Sequence, residues 1–276
     1  MKKNRTFSML LVCLLIIGCS VDNSNKSGTD DTDKSSYRIT FDQNGNHAAG
    51  TMNDQIASEG STVKLIPNAF TRGGFIFTRW NTQSDGNGVE YNDGDSFTMG
   101  SENITLYAQW NWKTYNLRDV GPAGGLIFYI NPTAGSNGWK YLEAAPGDQS
   151  TGTIWSNISS QIGTTGTDIG TGYTNTLAII GQAGHTSSAA KLCADLLISN
   201  GGIDYDDWFL PSRDELNHIY NNLHKQNVGN FSNDYYNSSS EGSDTTAWEQ
   251  YFMTGAQNNT FAKGLNSDRV RAIRSF

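Results

Sequence analysis

Hydrophobic and polar residues alternate along the chain in two different patterns. From Tyr37 onward, short runs alternate with a period of two and are separated by Gly, Asn and Asp; the runs are YRITFDQNG, STVKLIP, GGFIFTRWNT and NITLYAQW. Alternation of this kind is typical of strands that bury one face. The pattern predicts a small β-rich module over residues 37–112.

A second pattern begins after residue 112. The run GPAGGLIFYIN predicts a glycine-rich turn followed by a strand over Leu126–Ile130, and a further strand is predicted over Gly138–Pro146. Because a strand follows the glycines where a phosphate-binding loop needs a helix, we do not expect a nucleotide site. Residues 147–175 are rich in Gly, Ser, Thr and Asn, and a loop of this length is the first place where we expect a ligand.

Three helices are predicted in the second region. The first covers Asn175–Gln182, and the second covers Ser187–Ser199 with Cys193 on its apolar face. A thiol at such a position is expected to be a buried small hydrophobic group and not a nucleophile.

The third helix follows Pro211 and raises the question of a reactive cluster. Ser212 and Glu215 have the spacing of a capping box, which gives the carboxylate a structural role. The apolar stripe of this helix leaves His218 facing water. Glu215, His218 and His224 could otherwise serve a metal or acid/base site, but no further ligands accompany them. We therefore expect no metal, no cofactor and no catalytic residue.

The N-terminus has the character of an export signal. A basic start precedes the apolar run Met9–Ile17, which has about half the length that spanning a bilayer requires. The sequence LIIGC resembles the lipobox of bacterial lipoproteins. The resemblance implies cleavage after residue 18 and acylation of Cys19, whereas the alternative is an ordinary signal peptide. Residues 19–36 then form the lipidated cysteine and a polar tether.

An acylated Cys19 would make the membrane a partner through the lipid. It would place the protein in the cell envelope, at the outer membrane or the cell surface.

The net charge and the cysteine content exclude further classes of partner and of site. The chain carries a net charge of −8, and removal of residues 1–18 takes away three positive charges and gives −11. This balance argues against nucleic acid as a partner. Beyond Cys13 and Cys19 the chain has only Cys193, which excludes an internal disulfide and a cysteine zinc cluster.

Residues 37–112 resemble a known repeat family. The matching pieces are Tyr37, Ile39 and Phe41 before Asn44-Gly45, then RGGFIFTRW over residues 72–80, and LYAQW over residues 106–110. They resemble the Listeria-Bacteroides repeat, the internalin B-repeat family. The resemblance implies a β-grasp-like module of cell-surface proteins, present here in one copy. We expect Trp80 and Trp110 to lie in its core.

Residues 113–276 resemble a second family. Four matching pieces occur in order along the chain: GPAGGLIFY, DWFLPSRDEL, YNSSSE and VRAIR. They resemble the C-terminal domain of the Legionella collagen-like protein, although Asn237 stands where that family has Trp. The resemblance implies a C-type-lectin-like α+β domain, similar also to formylglycine-generating-enzyme-like folds, with a twisted antiparallel sheet and two main helices. It implies adhesion or glycan binding, with glycosaminoglycan as the ligand of the best-known member.

The sequence therefore favours a non-enzymatic surface lipoprotein that binds an extracellular glycan or matrix component through its C-terminal domain. The alternatives are an envelope scaffold or self-association module, and a hydrolase that uses Asp204, Asp206 or Asp207 with Glu241. Aromatic faces stack on sugars and cations bind anionic polymers, but each aromatic is more often a core residue than a ligand contact, and each cation could equally be paired at the surface. The candidate ligand contacts are Trp155, Tyr235, Tyr236, Trp248, Arg269 and Arg271, with Lys263 and Arg274 in the same basic cluster.

Overall fold

The computed structural model describes residues 34–134 and 138–276. The predicted signal peptide and the lipidation at Cys19 lie outside these residues. Residues Ser35–Phe276 form one compact unit. In the parts of the chain that the structure describes, no helix has the length and apolar character needed to cross a membrane.

The first part of the unit is built from strands. They are β1 (Ser36–Asp42), β2 (Ala48–Ala49), β3 (Gln55–Ser58), β4 (Thr62–Lys64), β5 (Thr71–Arg72), β6 (Phe75–Asn81), β7 (Glu90–Tyr91), β8 (Ser96–Thr98) and β9 (Ile104–Trp112). The main sheet has the order β3-β1-β9-β6-β7, with β1 and β9 parallel and the other neighbours antiparallel. Two short pairs, β2-β5 and β4-β8, complete the module.

The core of this module is aromatic, as its alternating pattern predicts. Trp80 is fully buried, with the rings of Phe41 and Phe77 at centroid distances of 4.9 and 5.0 Å. Trp110 is half-buried, and its indole nitrogen donates to the carbonyl of Gln43 at 2.8 Å. The prediction of a core position is therefore confirmed for Trp80, while Trp110 lies at the core's edge.

The described residues of the second part mix strands with α-helices. The strands are β10 (Leu126–Ile130), β11 (Tyr141–Ala144), β12 (Ser150–Thr153), β13 (Ile198–Asn200), β14 (Ile203–Tyr205), β15 (Tyr235–Glu241), β16 (Thr246–Tyr251), β17 (Ala256–Ala262), β18 (Asp268–Val270) and β19 (Ile273–Ser275). The α-helices are α1 (Gly172–Ile180), α2 (Ala189–Ala194) and α3 (Arg213–Asn222), and a 3-10 turn follows at His224–Gln226.

Two open sheets organise this part. One has the order β10-β11-β19 and the other the order β12-β18-β15-β16-β17, while β13 and β14 form a separate hairpin. All neighbouring strands are antiparallel except β15 and β18, which pair in parallel. Helix α3 packs on β10, β15 and β16. The described residues are thus mostly strands with few helices, a mixed architecture.

The predicted second helix is wrong in its C-terminal half. Helix α2 ends at Ala194, and residues from Ile198 onward form the β13–β14 hairpin. The two residues between these strands, Gly201 and Gly202, have φ of 61° and 79°. This is the conformation of the tight hairpin turns that Gly-Gly favours, and hairpin pairing outcompetes helix continuation here.

The two parts of the unit are in contact. The His47 ring stacks on Tyr205 at a centroid distance of 5.4 Å, and its Nε2 lies 3.9 Å from Oδ1 of Asp207. Gly73 lies against the hydroxyl of Tyr205, and Gly74 lies against the ring of Phe276. The turn that opens β6 therefore packs directly on the second part of the chain.

Candidate functional site

Trp155, the tryptophan of the long loop over residues 147–175, is not exposed to solvent. Trp155 is fully buried, and its indole nitrogen donates to the Ser238 carbonyl at 2.7 Å. The ammonium of Lys263 lies 4.9 Å from the centre of its ring and forms a 2.5 Å ion pair with Glu241. The expected ligand contact at Trp155 is corrected to a core position, because the ring faces are occupied inside the protein.

Glu241 also holds the loop. Its carboxylate accepts hydrogen bonds from the backbone amides of Ile162 at 2.9 Å and Gly163 at 2.9 Å. A buried carboxylate with a cation and amide donors is fully partnered, so Glu241 has a structural role. It is not free to act with Asp204 or Asp207, which bond to Ser199 and Arg274 respectively.

Tyr236 is likewise buried. Its hydroxyl donates to Asp148 at 3.0 Å and accepts from the Ser232 amide at 3.0 Å, and its ring packs on Phe252. Burial raises the pKa of Tyr236 to about 12. The expected ligand contact at Tyr236 is therefore also corrected to a core position.

The predicted basic cluster is paired internally. Arg271 is buried and bonds to Asp148 at 2.7 Å, and Arg274 is buried between Asp207 at 2.8 Å and Glu143 at 3.3 Å. Paired and buried guanidinium groups hold the fold and offer no charge to an external polymer. This corrects the expected contact at Arg271, which instead lines a cavity of about 180 Å³ between β10, β11 and Gly229-Asn230.

Arg269 differs because it remains partly exposed. Its guanidinium reaches Asp148 at 3.3 Å and Asp234 at 3.1 Å, and the side chain keeps 21% of its surface in solvent. The carboxylates raise the pKa of Arg269, although its burial acts in the opposite direction. Of the predicted cations, Arg269 is the one that an anionic ligand could reach.

Two predicted aromatic residues are half-exposed. Tyr235 stacks face to face on Tyr251, with ring centroids 4.4 Å apart and an interplanar angle of 16°. Trp248 lies under the guanidinium of Arg213, 5.0 Å from the ring centre. Tyr251 was not predicted, yet its position directly opposite Tyr235 in the β15–β16 register places both rings on one face.

The next row of that face is polar. Asn237 of β15 is opposite Glu249 of β16, and Glu249 is opposite Asn258 of β17. The carboxyl group of Glu249 is within hydrogen-bonding reach of Asp268 on β18, and both residues are buried. Burial, together with the neighbouring carboxyl group, raises the pKa of Glu249 to about 8. The alternation within β15 and β16 could have indicated which residues share a face. It could not have indicated which residues of the other strands lie opposite them.

The helix that raised the question of a reactive cluster is capped as predicted. The Ser212 amide donates to Glu215 at 2.7 Å, and the Glu215 amide donates to the Ser212 hydroxyl at 3.3 Å. Burial raises the pKa of Glu215 to about 7. His218 is half-buried against Tyr129, with ring centroids 4.8 Å apart, which corrects the expectation that it faces water. Burial lowers its pKa.

The site that the structure leaves available is thus a face of the β15–β16 sheet. We name it the tyrosine face and define it by Tyr235 and Tyr251, which form an aromatic stack. Arg269 pairs in register with Tyr236, so its guanidinium and the ion pair with Asp234 lie on the opposite side of the sheet. In the described part of the chain, no group of three or more His, Cys, Asp or Glu residues has the arrangement of a metal centre.

Comparison with known proteins identifies the first module. Residues 37–109 match the Listeria-Bacteroides repeat domain, which agrees with the strands β1–β9. The chain therefore carries one such repeat within a larger unit.

Two relatives come from Evansella cellulosilytica. One, named "Putative Gly-rich membrane protein", is 31% identical over 101 residues, which cover 36% of this chain and 12% of that protein. The other, named "Putative membrane protein", is 32% identical over 92 residues, covering 33% of this chain and 14% of that protein. The aligned part of this chain thus spans only a small fraction of each relative's length.

Proposed function

We propose that this protein is a non-enzymatic surface protein, anchored in the cell envelope by a lipid on Cys19, that binds an extracellular polymer through its C-terminal region. The observation that carries the proposal is the tyrosine face. Tyr235 and Tyr251 are half-exposed and form an aromatic stack, a surface on which sugar rings can stack.

The other supports come from the repeat and the relatives. The resemblance of residues 37–112 to a repeat of cell-surface proteins, now matched at residues 37–109, favours an envelope location. The membrane-protein names of the two Evansella relatives agree with it. The lipobox-like sequence that ends at Cys19 supports the proposed lipid anchor. The lectin-like resemblance of residues 113–276 favours a binding role over catalysis.

The proposal is tested with the compact unit Ser35–Phe276 on an array of glycans and matrix polymers, at low and physiological salt. We expect saturable binding to one glycan class, lost in Tyr235→Ala and in Tyr251→Ala. Tyr173→Ala is the matched control, because Tyr173 is an exposed tyrosine on α1, outside the tyrosine face. Absence of binding by the folded unit, or equal loss in the control, would reject the proposal.

An envelope scaffold is the second candidate function. It is favoured by apolar side chains that the repeat leaves in solvent: Ile56 on edge strand β3 is 61% exposed and Ile76 on β6 is 55% exposed. Exposed edges and apolar surface favour self-association. Light scattering across a concentration series would reveal oligomers that Ile56→Lys disperses.

A further inference from the structure

We propose that a small cavity beside helices α1 and α3 is a binding site for an alkylated ammonium group of the kind that choline carries. The cavity has a volume of about 150 Å³, and three aromatic side chains and one carboxylate line it: Trp139, Tyr173, Phe209 and Glu215. It shares no residue with the tyrosine face. The site therefore goes beyond the polymer binding proposed above and does not rest on it.

Three separate segments bring the aromatic rings to this cavity. Tyr173, near the start of α1, is 51% exposed and meets the buried Phe209 edge to face, with ring centroids 5.9 Å apart and an interplanar angle of 78°. Trp139 precedes β11 and is half-buried, and a Cβ at Gly170 would lie 3.6 Å from its Cζ2 atom. Aromatic faces attract alkylated ammonium groups through the ring quadrupole. The rings thus supply the surface that such a cation needs.

The carboxylate of Glu215 supplies the negative charge. It is fully buried, and its two oxygens accept from the amide of Gly170 at 2.8 Å and the amide of Ser212 at 2.7 Å. A Cβ at Gly172 would overlap both this carboxylate and the Phe209 ring. Glycine at that position is therefore what allows the carboxylate to lie beside the aromatic wall.

Glu215 has neutral partners where other buried glutamates have a cation. Glu143 pairs with Arg274, and Glu241 pairs with Lys263. Within the part of the chain that the structure describes, no Lys, Arg or His pairs with Glu215. A buried carboxylate is costly without an opposite charge, and a cation in the cavity would provide that charge.

The size and polarity of the cavity favour a cationic head group over other ligands. Sites that enclose a whole drug-sized ligand have volumes of about 300–1,000 Å³, so this one fits a part of a ligand. Besides Glu215 and Tyr173, the polar side chains of the wall are Thr174 and Ser275. These are few for a sugar ring, which needs several directional hydrogen bonds, and Glu215 repels an anionic group.

The test is a calorimetric titration of the unit Ser35–Phe276 with choline chloride and, separately, with the neutral analogue in which a tert-butyl group replaces the trimethylammonium group. We expect saturable binding of choline and much weaker binding of the analogue. Tyr173→Ala should weaken choline binding by about 2- to 30-fold. Equal binding of the two compounds, or no saturable binding of choline, would overturn the proposal.

Matched variants separate the ring from the rest of the helix. Tyr173→Phe keeps the ring and should keep the affinity, and so should Leu177→Ala, because Leu177 is exposed on the same helix and outside the cavity. Unchanged affinity in Tyr173→Ala would contradict the proposed site. Glu215→Gln should lose the preference for choline over the neutral analogue. Where that variant does not fold, Trp139→Leu provides the second substitution, and we expect it to weaken choline binding.

Two further measurements separate this site from the tyrosine face and identify the source of the ammonium group. Tyr235→Ala should lose glycan binding and keep choline binding, while Tyr173→Ala should show the opposite pattern. Sedimentation with phosphatidylcholine vesicles, with phosphatidylglycerol vesicles as the control, tests for a head group. Co-sedimentation that free choline abolishes would indicate a choline head group, and choline binding without co-sedimentation would indicate a free small molecule.

Discussion

Gly73 lies directly against Tyr205, so that a Cβ at position 73 would overlap the phenolic oxygen. One residue belongs to the turn before β6 and the other to the end of β14, so this contact joins the repeat to the rest of the unit. Tyr205 is buried at this point and also stacks on His47. The joint between the two parts is therefore packed closely enough to exclude one methyl group.

We predict that Gly73→Ala destabilises the unit by about 1–3 kcal/mol, the usual cost of overpacking. Gly100→Ala is the control, because no atom lies within 4 Å of a Cβ at that position. The free energy of unfolding from urea titrations measures both. Equal stability of the two variants would show that the repeat and the C-terminal region do not pack as described.

A second prediction concerns the buried ion pair between Lys263 and Glu241. Lys263→Met should destabilise the protein by about 3–5 kcal/mol, because it leaves Glu241 charged and buried. Lys191→Met is the matched control: Lys191 pairs with Asp195 in solvent, and such a pair contributes about 0–1 kcal/mol. Chemical unfolding should separate the two variants clearly. A small effect of Lys263→Met would indicate that water reaches Glu241.

A third prediction concerns how the stability of the folded protein depends on pH. The folded-state pKa of Glu249 is raised to about 8, so between the ordinary carboxyl value and 8 the folded protein binds more protons than the unfolded chain. The contribution of this group to stability is complete below the ordinary value and is lost as pH rises through about 8. We expect the Tm of the wild type to fall relative to Glu249→Gln between pH 6 and 9.

Glu59→Gln serves as the control for that measurement and should follow the wild type, because Glu59 is exposed. A constant Tm difference between the wild type and Glu249→Gln across this range would contradict the raised pKa. It would mean that Glu249 does not titrate between pH 6 and 9 in the folded protein.

A fourth prediction concerns the thiol of Cys193. It is fully buried on α2, and burial raises its pKa above the ordinary value. Because the thiolate is the nucleophile, iodoacetamide should label Cys193 only when the chain is unfolded. The control is Ser101→Cys, which adds an exposed thiol and should be labelled in the native state. Mass spectrometry of native and denatured samples measures the outcome, and rapid native labelling of Cys193 would show that α2 opens.

A fifth prediction concerns the anchor. Cys19→Ser should move the protein from the membrane fraction to the soluble fraction and abolish incorporation of labelled fatty acid, because only the thiol is acylated. Replacement of the nearby Cys13 by Ser should have no effect, since it precedes the expected cleavage point. Retention of Cys19→Ser in the membrane would favour attachment by another route.

The sequence by itself determined the features that depend on local spacing. Period-two alternation located the strands around Trp80 and the strand Leu126–Ile130, whose bounds agree with β10. The spacing of Ser212 and Glu215 determined the capping box, because its donors and acceptors lie within one turn. The burial of Cys193 followed from the apolar face of a short helix.

Tertiary structure alone decided which side chains are available to a ligand. The sequence alone allows three of the predicted contacts to be exposed: Trp155, Tyr236 and Arg271. Each is instead buried by a partner 80 or more residues away in the chain. The partner of Trp155 is Ser238, and the partner of Tyr236 and Arg271 is Asp148. The Tyr235–Tyr251 stack and the Glu249–Asp268 pair likewise depend on strand register. Register is set by which strands meet in the sheet, a long-range choice that local periodicity does not contain.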